Sequence, residues 1–102
     1  MRHYKVILRP EAMATVSDVV DFIKSIYTEE SAQKYRKLFL FELDSLSYSA
    51  SIFQKSRFQT ALKIHPEAKT LSIMNHHWTV VFHIEGDYVV VDRILPSSTI
   101  AG

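Results

Sequence analysis

The segment from His76 to Leu95, HHWTVVFHIEGDYVVVDRIL, limits the possible folds more than any other part of the chain. Two runs rich in valine and aromatic residues flank Gly86 and Asp87, which is typical of a β-hairpin with a two-residue turn. Pairing Glu85 with Tyr88 fixes the register, because side chains alternate between the two faces of a strand. The face predicted to line the core carries Trp78, Val80, Phe82, Ile84, Val89, Val91, Arg93 and Leu95. The opposite face is predicted to carry His77, Thr79, Val81, His83, Tyr88, Val90, Asp92 and Ile94.

The first half of the chain predicts one strand followed by two helices. Alternating apolar residues over 4–9 indicate the strand, and Pro10 suits the first turn of the helix that follows. Thr28 is a good N-cap for a second helix, which is predicted to run from Glu29 to Tyr48. The predicted core positions of this second helix are Ala32, Tyr35, Phe39, Leu43 and Leu46.

The third quarter predicts an ordered loop over 49–68, with a short strand at 62–64, and then a strand in KTLSIMN, 69–75. The order of elements therefore predicts an α+β fold, a two-layer sandwich of β-α-α-β-β-β order in a single domain spanning 1–102. Two helices are expected to pack on one face of an antiparallel meander sheet and to leave the other face open.

Composition excludes several functional classes. The chain has no cysteine, so disulfides, thiolate nucleophiles and cysteine-ligated zinc are excluded. Its apolar runs are far shorter than the roughly 20 residues that cross a bilayer, so we expect no membrane association and a cytoplasmic protein. No pattern indicates a cofactor.

Charge is distributed unevenly along the chain. Residues 10–50 carry seven acidic and four basic side chains, whereas the remainder carries eight basic and four acidic ones and all five histidines. If the two parts form different layers, the sheet layer attracts polyanions, as nucleic-acid-binding proteins do.

Three segments resemble the RelE/ParE superfamily of bacterial toxins: YKVILRPEA (4–12), YTEESAQKYRKLF (27–39) and the hairpin described above. The resemblance implies a toxin of a type II toxin–antitoxin module, held inactive by a cognate antitoxin whose C-terminal segment wraps it. Some members cleave mRNA on the ribosome without a metal, whereas the ParE branch poisons DNA gyrase. The cleaving members usually have arginine where this chain has Thr79, and a histidine, arginine or tyrosine where it has LPSSTIAG. Because the basic sheet layer favours RNA, we expect a ribosome-dependent endoribonuclease, with a ParE-like gyrase poison or a catalytically degenerate toxin as the alternative.

Metal-free RNA cleavage requires a base, an acid and cations around the phosphate. The catalytic candidates are His83, Asp92 and Arg57. His83 lies diagonally across the hairpin from Asp92, about 7–8 Å away along the backbones, so that the carboxylate can orient the imidazole. The predicted RNA-binding side chains are Lys55, Lys63, Lys69, His77 and Arg93. The alternative is that these are ordinary polar residues of a solvated sheet and loop.

Apolar residues that lie off the core stripe of the second helix predict a binding surface. Leu38, Leu40 and Phe41 are the candidates for antitoxin binding, although a helix packed on two sides within its own domain explains them equally. Zinc binding by the adjacent His76 and His77 is not predicted, because neighbouring residues of a strand point to opposite faces. His77 and His83 would be about 20 Å apart.

Overall fold

A computed structural model describes residues 3–100 and confirms the α+β architecture. The helices are α1 (Pro10–Ile26), α2 (Glu29–Asp44), α3 (Leu46–Ser49) and α4 (Gln59–Ile64). The strands are β1 (Lys5–Leu8), β2 (Lys69–Ile73), β3 (Trp78–Glu85) and β4 (Tyr88–Pro96). Short 3-10 turns occupy Ala50–Ile52 and Ser97–Thr99. In this described part of the chain no helix is both long and apolar enough to span a membrane.

The four strands form one sheet in the order β1-β4-β3-β2. Strands β2, β3 and β4 form the predicted antiparallel meander. The pairing of β1, which the sequence pattern did not specify, is parallel to β4, from Lys5 opposite Tyr88 to Leu8 opposite Val91. The sheet is therefore mixed, and its first and last strands in the sequence are neighbours.

The hairpin turn matches the prediction. Glu85 pairs with Tyr88, and Gly86 has a φ of 57°, in the left-handed region that glycine enters without a steric cost. The register changes further along the hairpin, because Phe82 pairs with Val91 whereas Val81 pairs with Arg93. Asp92 is therefore the extra residue of a β-bulge.

The bulge corrects the predicted faces of β4 beyond Asp92. Ile94 belongs to the main core and is 1% exposed, whereas Leu95 packs on the opposite side against buried Val81. Arg93, which pairs with Val81, is exposed instead of lying at the edge of the core. The predicted faces of Arg93, Ile94 and Leu95 are thus wrong, because a bulge shifts the alternation by one residue.

The two long helices pack on one face of the sheet, as predicted. Pro10 begins α1, and the side chain of Thr28 caps α2 by accepting a hydrogen bond from the amide of Ser31. Phe39 is fully buried between the rings of Tyr35 and Trp78, with centroid distances of 6.0 and 6.2 Å. Burying a phenylalanine of this kind stabilises the fold by about 1.5–3 kcal/mol. Helix α2 ends at Asp44, four residues before the predicted end, and α3 follows after Ser45.

The opposite face of the sheet is partly covered. The predicted strand at 62–64 is wrong, since these residues belong to α4. Ala61 of α4 and Ala68 are fully buried against Val81 of β3 and form a second, smaller core cluster. The small alanine side chains allow the segment to approach the sheet closely. The expectation of an open face therefore fails around β3 and β4, where His83 is 2% and Asp92 4% exposed.

Candidate functional site

The centre of the covered face is a buried histidine–aspartate pair. His83 of β3 and the bulge residue Asp92 of β4 make the predicted contact, with 2.6 Å between Nδ1 and Oδ2. The second ring nitrogen of His83, Nε2, lies 3.2 Å from Oε1 of Glu85, which is two residues further along the same strand face. Both nitrogens of the imidazole thus have carboxylate partners, and its side chain is only 3% exposed.

His65 covers this pair. It follows the last residue of α4, and its ring lies flat on the ring of His83, with centroids 3.7 Å apart and planes 4° apart. The amide of Glu67 donates a hydrogen bond of 3.0 Å to Nδ1 of His65, which fixes the orientation of the covering ring. His65 is itself half-buried, so it is the member of the stacked pair that solvent reaches.

A polar pocket of about 280 Å³ adjoins the pair. Its lining residues are Arg9, Glu11, Lys63, Ile64, His65, Asp92 and Arg93. Arg9 lies 3.9 Å from the Asp92 carboxylate, and Arg93 lies 3.7 Å from Glu11. The pocket therefore brings two arginines, a lysine and a histidine together at the C-terminal end of α4, along with two carboxylates.

The predicted RNA-binding and catalytic cations are divided among several places. Lys63 and Arg93 meet in the polar pocket. Lys55 and Arg57 are exposed in the segment before α4. The amide of Ser56, between them, donates a hydrogen bond to the carbonyl of Ala68, the residue before β2, and so attaches this segment to the sheet. Lys69 is half-buried, and its ammonium group donates to the carbonyl of Phe53, so it holds the loop in place.

His77 lies apart from these residues, in the turn between β2 and β3 and not within a strand. Its Nδ1 is 2.8 Å from the Met74 carbonyl oxygen, and it borders apolar pockets on the helix side of the sheet beside Tyr35. Met74, Asn75 and His76 in this turn have φ values of 53°, 55° and 64°. Left-handed backbone is costly for Met74 in particular, and the Glu42 carboxylate helps to hold it by accepting a hydrogen bond from the Met74 amide at 3.1 Å.

The predicted antitoxin surface is exposed at two of its three residues. Phe41 is 74% and Leu38 51% exposed, whereas Leu40 is half-buried and packs against the main core. Phe41 and Leu40 line a groove of about 450 Å³ between β1 and α2, together with Val6 and Leu8 of β1. Leu38 and Phe41 also border the neighbouring pocket of about 540 Å³. Phe41 therefore lines both of these apolar pockets.

Three residues around the buried His83–Asp92 pair were not predicted from the sequence: His65, Glu85 and Arg9. Glu85 was detectable, because the spacing of two residues places it on the same strand face as His83. His65 was not predictable, because the loop and strand predicted before it do not place it beside His83, whereas α4 does. Arg9 reaches Asp92 through the parallel pairing of β1 with β4, for which the hydrophobic pattern contains no signal.

Comparison with known proteins supports the fold. No protein-family profile and no curated protein sequence matches the chain. The fold is nevertheless RelE/ParE-like, as predicted from the sequence. A solved structure described as "Chromosomal ParDE TA system from P. aeruginosa" superposes with a TM-score of 0.76 at 16% sequence identity, over 92% of this chain and 96% of that chain. At this level of identity the match establishes the shared fold.

Proposed function

We propose that this protein is the toxin of a type II toxin–antitoxin module and is neutralised by a cognate antitoxin. The observation that carries the proposal is the agreement of fold with a chain of a ParDE system, which extends over nearly the full length of both chains. The sequence resemblance to RelE/ParE toxins, made on the hairpin and the helix pair, supports it independently. The apolar groove between β1 and α2 offers the antitoxin a surface beside the exposed ring of Phe41.

We further propose that the toxin acts by binding its target in the manner of ParE, with DNA gyrase as that target. A general base must come within hydrogen-bonding reach of the proton it removes. His83 has both ring nitrogens engaged by carboxylates and is covered by His65, which argues against its predicted role in RNA cleavage. Thr79, which stands where cleaving relatives have arginine, is 5% exposed and bonded to Ser97 at 2.8 Å.

One observation favours a second candidate, a metal-free ribosome-dependent mRNA endoribonuclease. The polar pocket places the half-buried His65 beside Lys63, Arg93 and Arg9. A titratable imidazole surrounded by cations is what cleavage at a phosphodiester needs. In this candidate His65, and not His83, contacts the RNA.

Inducing the protein alone and together with the product of the adjacent reading frame tests the toxin proposal. Growth arrest that the second product reverses is the expected result, and harmless accumulation would contradict it. Analysis of arrested cells then separates the targets. Trapping of gyrase on broken DNA, unchanged in His65→Gln, supports the gyrase proposal. Cleavage of mRNA on translating ribosomes that is lost in His65→Gln supports the endoribonuclease.

A further inference from the structure

The buried site also contains three potential metal ligands. One ligand atom from each of His65, His83 and Glu85 lies within 4.8 Å of the other two. We propose that these three residues bind a divalent transition-metal ion such as Zn²⁺, with Asp92 as the positioning residue behind His83. This set differs from the adjacent His76 and His77, and it goes beyond toxin activity because no step of that activity depends on it.

His83 and Glu85 already have the separation that coordination requires. Their Nε2 and Oε1 atoms are 3.2 Å apart, and two ligands about 2.0–2.1 Å from a tetrahedral ion are about 3.3 Å apart. The Nδ1 atom of His83 faces the Asp92 carboxylate at 2.6 Å. A histidine that donates its Nδ1–H to a carboxylate presents the lone pair of Nε2, which is the usual arrangement behind a metal-bound histidine. Asp92 is in turn fixed by the bulge and by Arg9.

His65 must move to complete the site. In two rings stacked at 3.7 Å with planes 4° apart, the in-plane lone pairs run side by side and do not converge on one point. Its Nδ1 also accepts a hydrogen bond from the Glu67 amide. Coordination of a metal ion by His65 therefore replaces both the stacking contact with His83 and this hydrogen bond. Because His65 is half-buried at the end of α4 while His83 is enclosed, His65 is the ring that turns. The ion then fastens the end of α4 to β3.

The ligand set defines the class of metal. Two imidazoles and one carboxylate suit Zn²⁺ and its neighbours in the transition series, whereas Mg²⁺ and Ca²⁺ prefer sets of oxygen ligands. The Glu85 side chain is 69% exposed, so the site opens towards solvent on that side and water supplies the fourth ligand.

Calorimetric titration of the purified protein with ZnCl₂, and in parallel with MgCl₂, tests the proposal. We expect one equivalent of Zn²⁺ to bind and Mg²⁺ not to bind. At a free Zn²⁺ concentration ten times Kd, Tm should rise by roughly 5 °C or more. His65→Gln and Glu85→Gln should each weaken the affinity at least about tenfold. His76→Asn, which suits a positive φ, and Glu67→Gln, whose side chain is exposed, are matched controls that should bind as the unmutated protein does.

The side-chain NMR signals of His65 and His83 report the rearrangement directly. Zinc should shift both rings, and the Glu67 amide signal should move as its bond to His65 is lost. Absence of saturable zinc binding would overturn the proposal and leave the cluster as hydrogen-bonded packing. Undiminished binding by His65→Gln, or binding lost in His76→Asn, would also overturn it by placing the ion elsewhere.

Discussion

The ring of His65 lies parallel to the ring of His83, 3.7 Å away, and helps to bury it, so that His83 is only 2% exposed. This relationship bears on the role of a histidine in a valine-rich strand. His83 is buried and both of its ring nitrogens contact carboxylates, whereas His65 lines the polar pocket. Experiments on activity should therefore begin with His65, and experiments on stability with His83 and Asp92.

Asp92→Ala should lower the free energy of unfolding by about 1–3 kcal/mol, because it leaves the buried Nδ1 of His83 without its acceptor. Urea unfolding followed by circular dichroism measures the change. Asp18→Ala, on the exposed side of α1, is the matched control and should unfold as the unmutated protein does. Equal midpoints for the two variants would show that the His83–Asp92 contact contributes nothing to stability.

Phe41→Ala combined with Leu38→Ala should weaken binding of the proposed antitoxin at least about tenfold, since a few residues carry most of the binding energy of an interface and these two are exposed. The thermal stability of the free protein should change little, because both side chains are exposed. Phe22→Ala is the control, as Phe22 is 62% exposed and borders a different pocket. Calorimetry with purified antitoxin measures the affinities, and an effect of Phe22→Ala as large as that of the double variant would place the interface on α1.

Replacing Lys55, Arg57 and Lys63 together by alanine should weaken binding to RNA or ribosomes if the basic segment contacts phosphates. Each lost contact reduces the slope of log K against log salt by about 0.7–0.9, so three contacts reduce it by about 2–3. Tm should stay close to its original value, because the three side chains are exposed. The matched control replaces Lys24, Lys34 and Arg36 on the acidic helices. An unchanged salt slope in the first variant would remove the segment from any nucleic-acid interface.

Gly86→Val should destabilise the hairpin by about 1–2 kcal/mol or more, because a β-branched residue fits poorly at a φ of 57°. The Cβ atom itself would meet nothing within 4 Å, so it adds no clash to the cost of the backbone conformation. Gly86→Asn should cost less, as asparagine tolerates the left-handed region. Thermal unfolding of both variants measures the difference, and equal losses would show that backbone conformation is not the cause.

The sequence predicts the fold well where local signals and burial agree. Gly86 and Asp87 locate the turn, Pro10 and Thr28 mark the starts of α1 and α2, and the apolar periodicity of α2 identifies Phe39 and Leu43 as core. Each signal acts within a few residues, so a single sequence contains it.

The parts that escaped prediction depend on contacts between distant segments. No residue type in the sequence marks the bulge at Asp92, yet the bulge reverses the faces of the residues that follow it. The short helix α4 lacks a strong apolar period, because its buried contact with the sheet rests on Ala61. The stacking of His65 on His83 depends on the position of α4, so the pair His83–Asp92 was predictable while the ring that covers it was not.

The parallel pairing of β1 with β4 also determines when the sheet can form during translation. Lys5 pairs with Tyr88, so β1 cannot join the sheet until β4 has been translated. Closing a contact across so much chain is entropically slow compared with forming α1 and α2, which need only local contacts. The groove between β1 and α2 is consequently a property of the finished sheet. A partner that recognises this groove would therefore bind chains in which β4 has already paired with β1, and would not bind nascent chains that still lack β4.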